Sequence, residues 1–312
     1  MEIVRSLAPG IAQRPAVLTM GKFDGLHLGH RQLIGTALGR ARELGFLSAV
    51  LTWEPHPNVV LRPDQPPQLL TSLEEKTDLI AALGPDLLIV APFTQATKST
   101  GANAYMAQIC AALPLRELWV GEGFAMGRGR AGDVPSLMVI GRDLGFAVGA
   151  VAKLLVGGQP VSASRVRDLL AAGDVAGAAA LLDRPFGLRG VVVKGDQRGR
   201  VIGFPTANIQ MRPNHVLPAD GVYACRATLD GVALPAVTNV GVRPTFDGLR
   251  RTVEAHLLDW SGDLYGRSLS LEFFHRLRGE QKFSGIDALV AQIRSDADAA
   301  RDLLRDAPTR QR

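Results

Sequence analysis

Residues 16–44 place an apolar stretch, a glycine-bearing turn and a helical pattern directly one after another. The apolar stretch ends at Met20, and the turn that follows, GKFDGLHLGH, carries His27 and His30 three residues apart. Beyond the turn, apolar residues recur at the spacing of one helix face, so the order predicts strand, turn and helix. A helix start has unpaired backbone N–H groups and partial positive charge, and glycines let a phosphate approach the main chain closely. The segment therefore predicts a site for the phosphates of a nucleotide.

His27 and His30 have two other interpretations, as half of a metal site or as polar residues on a surface turn. No cysteine or carboxylate stands at the usual zinc-ligand spacings beside the pair, which disfavours a metal site. The position after an apolar strand, with Gly21, Gly25 and Gly29 interleaved, favours phosphate binding over a plain surface turn.

His27-Leu28-Gly29-His30 matches the H-x-G-H signature of the nucleotidyltransferase superfamily, and residues 21–30 resemble the form found in bacterial FAD synthetases. This resemblance implies an α/β domain of the Rossmann-like kind with a parallel sheet. It also implies adenylyl transfer, in which a phosphate oxygen of the second substrate attacks the α-phosphorus of ATP and pyrophosphate leaves. The catalytic residues that it implies at the α-phosphate are His27 and His30. The nucleotide-binding residues that it implies in the same turn are Gly21, Phe23, Asp24 and Gly29.

A proline-stiffened segment, WEPHP, follows the second apolar run of the chain. Alone it would be interpreted as an ordinary turn. It resembles the F-E-P-H-P loop of the same family, with Trp53 in place of Phe. The resemblance implies that Pro55, His56 and Pro57 form a loop at the flavin or substrate.

Residues 120–133 follow a third apolar strand and resemble the family's V-G-x-D/N-F-x-F-G loop, which implies that Phe124 contacts the flavin or substrate. The sequence departs from the pattern at two positions, with Gly123 for the Asp or Asn and Met126 for the second aromatic residue. Losing the polar side chain at position 123 is expected to weaken substrate contacts in adenylyl transfer.

Residues 161–167, VSASRVR, resemble the family's I-S-S-T-x-x-R segment. The resemblance implies that Ser162, Ser164 and Arg167 hold the leaving pyrophosphate, and two hydroxyls near a helix start with a guanidinium suit a phosphate chain. Alone, the segment would be a serine helix cap beside a solvated arginine. Residues 93–103 are polar, and we predict a mobile surface loop with little helix there.

Beyond residue 186 the helical pattern gives way to short apolar runs divided by Gly, Asp and Pro. Such a series predicts a mainly antiparallel sheet or barrel, closed by an amphipathic helix from residue 286 to 304. With the resemblances, we expect an N-terminal nucleotidyltransferase domain, residues 1–184, and a C-terminal β-barrel domain with a terminal helix, residues 185–312.

Residues 195–208, GDQRGRVIGFPTAN, are the second strong signal in the chain. Basic, glycine-bearing turns suit a phosphate-covering loop, and the Thr206 hydroxyl and Asn208 amide oxygen are ligands of the kind that Mg²⁺ accepts. The stretch resembles the riboflavin kinase signature, whose P-T-A-N core is intact. The resemblance implies that Thr206 and Asn208 hold the metal. The nucleotide-binding residues that it implies are Gly195, Arg200 and Phe204.

Glu254 aligns with the catalytic glutamate of the riboflavin kinase family. As a general base it would accept the proton of the hydroxyl that attacks the γ-phosphate of ATP. His256, two residues on, is interpreted as an outward-facing strand residue without a catalytic role. The resemblance continues through residues 239–246 and 277–283. Residues 263–266 also fit it, but we prefer to interpret them as a turn.

Composition agrees with two globular domains: 312 residues with 46% hydrophobic content exceed the usual single core. The net charge of +5 is diffuse and aromatic residues make up 5%, which suits anionic nucleotides and gives poor support to nucleic-acid binding. Cys110 and Cys225 lack a partner motif and are expected to be reduced. The absence of an apolar leader or membrane segment predicts a cytoplasmic protein that needs neither a membrane nor an obligate protein partner.

The resemblance covers nearly all of the chain and implies the bifunctional riboflavin kinase and FMN adenylyltransferase family. Riboflavin, FMN and ATP would be its substrates, FMN and FAD its products, and Mg²⁺ its cofactor. Three alternatives stay open: a kinase with weak adenylyl transfer, a non-catalytic flavin-binding protein, and a ligase of the aminoacyl-tRNA synthetase kind. The last should carry a K-M-S-K-S-like loop, which is absent from the sequence.

Overall fold

The computed structural model describes residues 1–195, 199, 202–245 and 248–305. By its contacts the chain divides into two units, Met1–Ala163 and Ser164–Arg312. The domain boundary after residue 184 stays a prediction.

Short apolar runs form the strands of the first unit; Ala16–Met20 is buried along its whole length, and Leu47–Glu54 is buried except at its two ends. Its strands are β1 (Glu2–Val4), β2 (Ala16–Met20), β3 (Leu47–Glu54), β4 (Leu87–Pro92), β5 (Leu115–Gly121), β6 (Ala125–Met126), β7 (Gly132–Asp133), β8 (Ala147–Val151), β9 (Leu155–Val156) and β10 (Gln159–Pro160). Its helices are α1 (Leu28–Leu44), α2 (Pro57–Leu61), α3 (Leu73–Ala81), α4 (Gln95–Ser99), α5 (Ala102–Ala112) and α6 (Val134–Leu144).

A parallel sheet with the strand order β1-β4-β3-β2-β5-β8 is the centre of this unit. Apolar residues of α1 and α3 pack on one face of the sheet, and those of α5 and α6 pack on the other. The predicted Rossmann-like α/β domain is confirmed. From β2 the chain proceeds to β3, which pairs with one edge of β2, whereas β5 pairs with the opposite edge of β2. Ligands of such sheets bind in the crevice that this reversal opens at the carboxyl ends of the strands.

The prediction of a loop with little helix over residues 93–103 is wrong. Thr94 and Thr97 exchange side-chain-to-backbone hydrogen bonds that cap α4. These hydrogen bonds supply partners for backbone N–H groups at the start of α4, a helix that has no buried residue. The following helix begins at Ala102 and buries Ala102, Tyr105 and Met106. The pattern of apolar residues within the eleven residues 93–103 could not predict these helices, because most of the apolar face of α5 lies beyond residue 103.

The second unit is built from helices α7 (Ala163–Ala171) and α8 (Val175–Leu182), six strands and a long final helix. The strands are β11 (Phe186–Val193), β12 (Ala207–Gln210), β13 (Gly221–Leu229), β14 (Val232–Thr245), β15 (Gly248–Leu257) and β16 (Ser268–Arg278). They pair antiparallel in the order β11-β12-β15-β14-β13-β16 and close into a barrel. The predicted barrel is confirmed.

The final helix, α9 (Ile286–Arg305), covers one side of the barrel. Ala297, Ala300 and Leu304 pack against Ala224 and Leu258. The Asp296 carboxylate, 6% exposed, accepts hydrogen bonds from the Arg278 guanidinium at the end of β16. Such a half-buried, bidentate pair fixes the helix to the strand more firmly than surface pairs do.

Cys110 and Cys225 are free thiols in different units, and burial raises the pKa of the Cys225 thiol. Among the described residues, no helix is long and apolar enough to cross a membrane.

Candidate active sites

The turn after β2 brings two imidazole rings together. Phe23, Gly25 and Leu26 have positive φ angles of 50°, 75° and 40°, which bend the chain sharply before α1. His27 caps α1, since its Nδ1 atom accepts the N–H of His30 at 3.3 Å. The two rings stack with centroids 3.6 Å apart, and the Phe23 ring packs edge-on against His30. Because Nδ1 of His27 accepts a hydrogen bond, the neutral ring carries its proton on Nε2.

The carboxylate of Asp24 holds this turn through hydrogen bonds. Its Oδ1 atom accepts the N–H of Leu70 at 2.9 Å and the N–H of Thr71 at 3.1 Å. The Thr71 hydroxyl in turn accepts the N–H of Gly25 at 3.0 Å. Asp24 is 4% exposed. The carboxylate therefore fixes the shape of the turn, and in the described part of the chain it is not among the residues that line the adjoining cavity.

His30 is held in its neutral form by its surroundings. Burial lowers the pKa of His30 well below its ordinary value, and the nearby His27 and Lys76 lower it further. Lys76 is 5% exposed, and its Nζ atom donates to the Thr52 hydroxyl at 3.2 Å and to the carbonyl of Lys22 at 3.4 Å. Nδ1 of His30 is buried without a hydrogen-bond partner among the described residues. Buried polar atoms without a partner are rare in folded proteins, so this nitrogen calls for an explanation.

The carboxyl ends of β2 and β5 open into a cavity of about 820 Å³ within the first unit. His27 and His30 form part of its wall. The cationic residues that line it are Lys22, Arg62, Lys98, Arg128, Arg130 and Lys153, and its carboxylate is that of Glu122. Such an excess of positive charge attracts anionic ligands such as nucleotide phosphates.

An aromatic wall completes the same cavity, formed by Trp53, Phe93, Tyr105 and Phe124. The indole N–H of Trp53 donates to the Tyr105 hydroxyl at 2.7 Å, and Phe93 packs edge-on against Trp53. Burial raises the pKa of Tyr105 to about 12, so the phenol stays protonated at neutral pH. Trp53 in place of the family's Phe therefore adds a hydrogen bond to the wall. Cationic and aromatic walls together suit a ligand with phosphates and a flat ring.

Most of the predicted residues of the first unit line this cavity. They are Gly21, Phe23, His27, Gly29, His30, Pro57 and Phe124. Pro55 and His56 are not among the residues that line it in the described structure. His56 caps α2 instead, because its Nδ1 atom accepts the N–H of Asn58 at 3.2 Å.

The predicted pyrophosphate residues fall where the two units divide. Ser162 belongs to the first unit and follows Val161, which lines the cavity. Ser164 and Arg167 lie in α7, within the second unit. Their role toward the leaving pyrophosphate stays a prediction.

The second site lies on three neighbouring strands of the barrel. Asn208 on β12 and Asn239 on β14 are both directly opposite Glu254 on β15, so the three residues form one row across the sheet. The Thr206 hydroxyl, just before β12, donates to Oε2 of Glu254 at 3.4 Å. Residues directly opposite one another share a face of the sheet. The P-T-A-N segment and the predicted base therefore meet on one face.

Two contacts hold the P-T-A-N segment in this place. A Cβ atom on Gly195 would lie 2.2 Å from the side-chain nitrogen of Asn208, so only glycine leaves room for that amide. Nδ1 of His256 lies 2.8 Å from the Pro205 carbonyl, and its ring packs edge-on against Phe204. If His256 donates that hydrogen bond, its tautomer has the proton on Nδ1. The predicted residue Arg200 lies outside the described residues.

The donor set of the barrel site fits a hard divalent cation. A hydroxyl, an amide oxygen and a carboxylate are the oxygen ligands that Mg²⁺ takes in proteins. Among the described residues, no cluster of three or more His, Cys, Asp or Glu side chains could hold a metal ion. A metal here would therefore rest on Thr206 and Asn208, together with phosphate oxygens of its substrate.

Sequence reasoning missed several residues of both sites. Lys76, Tyr105 and Lys153 enter the first site through tertiary packing, and Asn239 enters the second through strand pairing. For Asn239 a signal existed in the resemblance of residues 239–246. His256 contacts the P-T-A-N segment, a contact that its interpretation as an outward-facing strand residue did not include.

An anion-binding cavity at the switch point of a parallel sheet, with a second oxygen-rich site on a separate barrel, defines a two-site nucleotide-dependent transferase. Two family models match the chain: FAD synthetase over residues 11–165 and riboflavin kinase over residues 182–304. The bifunctional riboflavin kinase/FMN adenylyltransferases of Escherichia coli K12 and Bacillus subtilis are each 37% identical to it. The first alignment covers 97% of this chain and of the relative, and the second covers 92% of each. The chain therefore belongs to the bifunctional riboflavin kinase/FMN adenylyltransferase family.

A solved structure from Streptococcus pneumoniae has the same fold, with a TM-score of 0.87 and 27% identity over 96% of this chain and 98% of that one. Its title describes a macrolide-efflux protein. The bifunctional relatives are more similar in sequence, including one from Pseudomonas fluorescens that is 38% identical over 97% of this chain and 98% of its own length. The family assignment follows these relatives.

Proposed function

We propose that the barrel unit phosphorylates riboflavin to FMN with ATP and that the α/β unit joins FMN to AMP, which gives FAD and pyrophosphate. The observation that carries the proposal is the joint presence of two candidate sites, one in each unit. Glu254 lies beside the P-T-A-N oxygens, and the stacked His27 and His30 line a cationic cavity. The intact catalytic residues disfavour a non-catalytic flavin-binding protein.

In the first reaction the flavin's terminal hydroxyl oxygen attacks the γ-phosphorus of ATP. A new O–P bond forms, the bond from the γ-phosphorus to the bridging oxygen breaks, and ADP leaves. Glu254 accepts the hydroxyl proton as a general base. Glu254 lies in one row with Asn208 and Asn239, and the Thr206 hydroxyl donates to its carboxylate.

In the second reaction a phosphate oxygen of FMN attacks the α-phosphorus of ATP. The bond between the α-phosphorus and the bridging oxygen breaks, and pyrophosphate leaves. The protein contributes position and charge rather than a covalent intermediate. Nε2–H of His27 donates to a phosphate oxygen, and the neutral His30 beside it fixes the ring plane. The aromatic wall of Trp53, Phe93, Tyr105 and Phe124 receives the flavin ring.

Both reactions are proposed to use Mg²⁺, which offsets the negative charge of the triphosphate when bound. In the barrel site Thr206 and Asn208 would hold it. The cytoplasmic location stays a prediction. Ser162, Ser164 and Arg167 are proposed to bind the pyrophosphate.

Incubation of the purified protein with riboflavin, ATP and Mg²⁺, followed by chromatographic separation of the flavins over time, tests both activities. FMN that appears first and FAD that follows would support the proposal. FMN without FAD, also when FMN is supplied directly, would leave a kinase with weak adenylyl transfer. If neither product forms, the proposal is wrong. Chelation of divalent cations should stop both reactions, and added Mg²⁺ should restore them.

A further inference from the structure

The loop after β5 lacks a polar side chain at Gly123, where the family pattern has Asp or Asn. The structure places another side chain in that space. A Cβ atom built on Gly123 would lie 3.7 Å from Cε and 3.8 Å from Nζ of Lys153. These are ordinary van der Waals distances, so the ammonium group of Lys153 lies next to the place of a side chain at position 123.

Lys153 is well placed to meet a phosphate. It follows β8, at the carboxyl edge of the parallel sheet, and lines the same cavity as His27 and His30. Its side chain is 58% exposed, and Nζ lies 3.8 Å from Oε1 of Glu122, which is 49% exposed. An exposed pair at this distance is weak. The ammonium group can therefore exchange the carboxylate for a phosphate oxygen at little cost.

We propose that Lys153 is a catalytic residue of adenylyl transfer in this chain and takes the place of the polar side chain missing at position 123. The inference rests on the adenylyl transfer proposed above. That reaction brings the phosphate of FMN against the triphosphate of ATP, so two anions repel each other as they approach. An ammonium group between them offsets this repulsion and the charge that develops as pyrophosphate leaves. Its ligand is a phosphate, either that of FMN or the α-phosphate of ATP.

The test compares Lys153→Met, Lys153→Arg and the double variant Lys153→Met/Gly123→Asn with the wild type. The reaction measured is FAD formation from supplied FMN and ATP. Arg116→Met is the matched control: Arg116 is an exposed cation on β5 of the same unit and lies outside the residues that line the cavity. Thermal unfolding of every variant serves as the control for folding of the changed unit, and riboflavin phosphorylation by the barrel serves as the control for enzyme concentration.

Lys153→Met should lower kcat/KM for FAD formation about 100-fold, as the loss of one charge-stabilising donor does. Lys153→Arg should retain most of the activity, and Gly123→Asn should restore part of it in the double variant. The fall should include kcat, because the charge develops in the transition state, and an accompanying rise in KM for FMN or for ATP identifies which phosphate Lys153 meets. A rise confined to KM would overturn the catalytic role.

Wild-type activity in Lys153→Met would overturn the inference, as would a double variant no more active than Lys153→Met. The failure of the proposed function has a different signature, because the wild type itself would then form no FAD from FMN and ATP.

Discussion

The rings of His27 and His30 lie 3.6 Å apart between centroids with their planes 17° apart, and Nδ1 of His27 accepts the backbone N–H of His30. One residue thus caps a helix and lines the cavity at the carboxyl ends of the strands. The cap determines the tautomer, because an Nδ1 atom that accepts a hydrogen bond leaves the proton on Nε2. The helix cap and the proposed donor to the phosphate are therefore the same residue.

Substitution of His27 should separate these two roles. Asn is a good helix cap but lacks the ring, so His27→Asn should keep the melting temperature close to that of the wild type. FAD formation should nevertheless fall about 100-fold or more, because the phosphate donor is lost. His27→Ala should lose both the helix cap and the phosphate donor, and loss of the cap should lower the free energy of unfolding by about 1 kcal/mol. Thermal unfolding and steady-state assays distinguish the roles, and a fully active His27→Asn would contradict them.

The depressed pKa of His30 predicts a specific pH dependence. Burial is the main cause, and His27 and Lys76 add to it. Above the ordinary value near 6.5 the ring is neutral in both the folded and the unfolded chain. As the pH falls below that value, His30 binds a proton in the unfolded chain but not in the folded chain. Protonation therefore stabilises the unfolded chain, and the free energy of unfolding falls on the acid side.

NMR titration of His30 should therefore show a neutral imidazole below pH 6.5. In Lys76→Met the pKa should move upward, while burial keeps it under the ordinary value. Arg116→Met should leave the titration unchanged. An unshifted His30 in the wild type would contradict the prediction.

Glu254→Gln should abolish FMN formation and leave FAD formation from supplied FMN intact. The amide keeps the shape of the side chain and can still accept from Thr206, but it cannot take the proton of the attacking hydroxyl. We expect a loss of about 100-fold or more in kcat, measured by chromatography of the flavins. Glu254→Ala should show the same pattern. Near wild-type FMN formation in either variant would refute the assignment of the base.

Gly195→Ala should impair the kinase through Asn208. The added methyl group would lie 2.2 Å from the Asn208 side-chain nitrogen, so the amide must leave its place beside Glu254. We expect slower FMN formation and a higher Mg²⁺ concentration for half-maximal rate. Gly285→Ala is the matched control, because a Cβ there has no heavy atom within 4 Å. Equal Mg²⁺ dependence in the two variants would argue against a metal at Asn208.

The parts of both sites that the sequence could predict are those encoded within one short segment. The turn with His27 and His30 combines a buried strand, three glycines and a helix start, and each has a local pattern. Asp24 shows the limit of such patterns. Its role as an anchor depends on the N–H groups of Leu70 and Thr71, more than forty residues away in the chain, as the separations of 46 and 47 residues show.

Contacts between distant strands account for most of what was missed. Strand β12 is four residues long and contains the end of the P-T-A-N segment, so a periodicity of two could not be seen in it. The row formed by Asn208, Glu254 and Asn239 exists only through the register of three strands. Lys153 approaches Gly123 in the same nonlocal way, from the strand that pairs beside β5.

Closure of the barrel also has a consequence for the order in which the chain acquires its structure during synthesis. The first strand, β11, pairs with the last, β16, and Arg189 bonds Ser270 across 81 residues of sequence. The barrel can close only after residue 278 has left the ribosome, and such long-range pairing is slow. The parallel sheet, by contrast, is complete at Val151. During synthesis the nascent chain should therefore have a folded nucleotide-binding unit while the strands of the barrel are still unpaired. Unpaired strand edges promote aggregation, so chaperones are needed most in this interval.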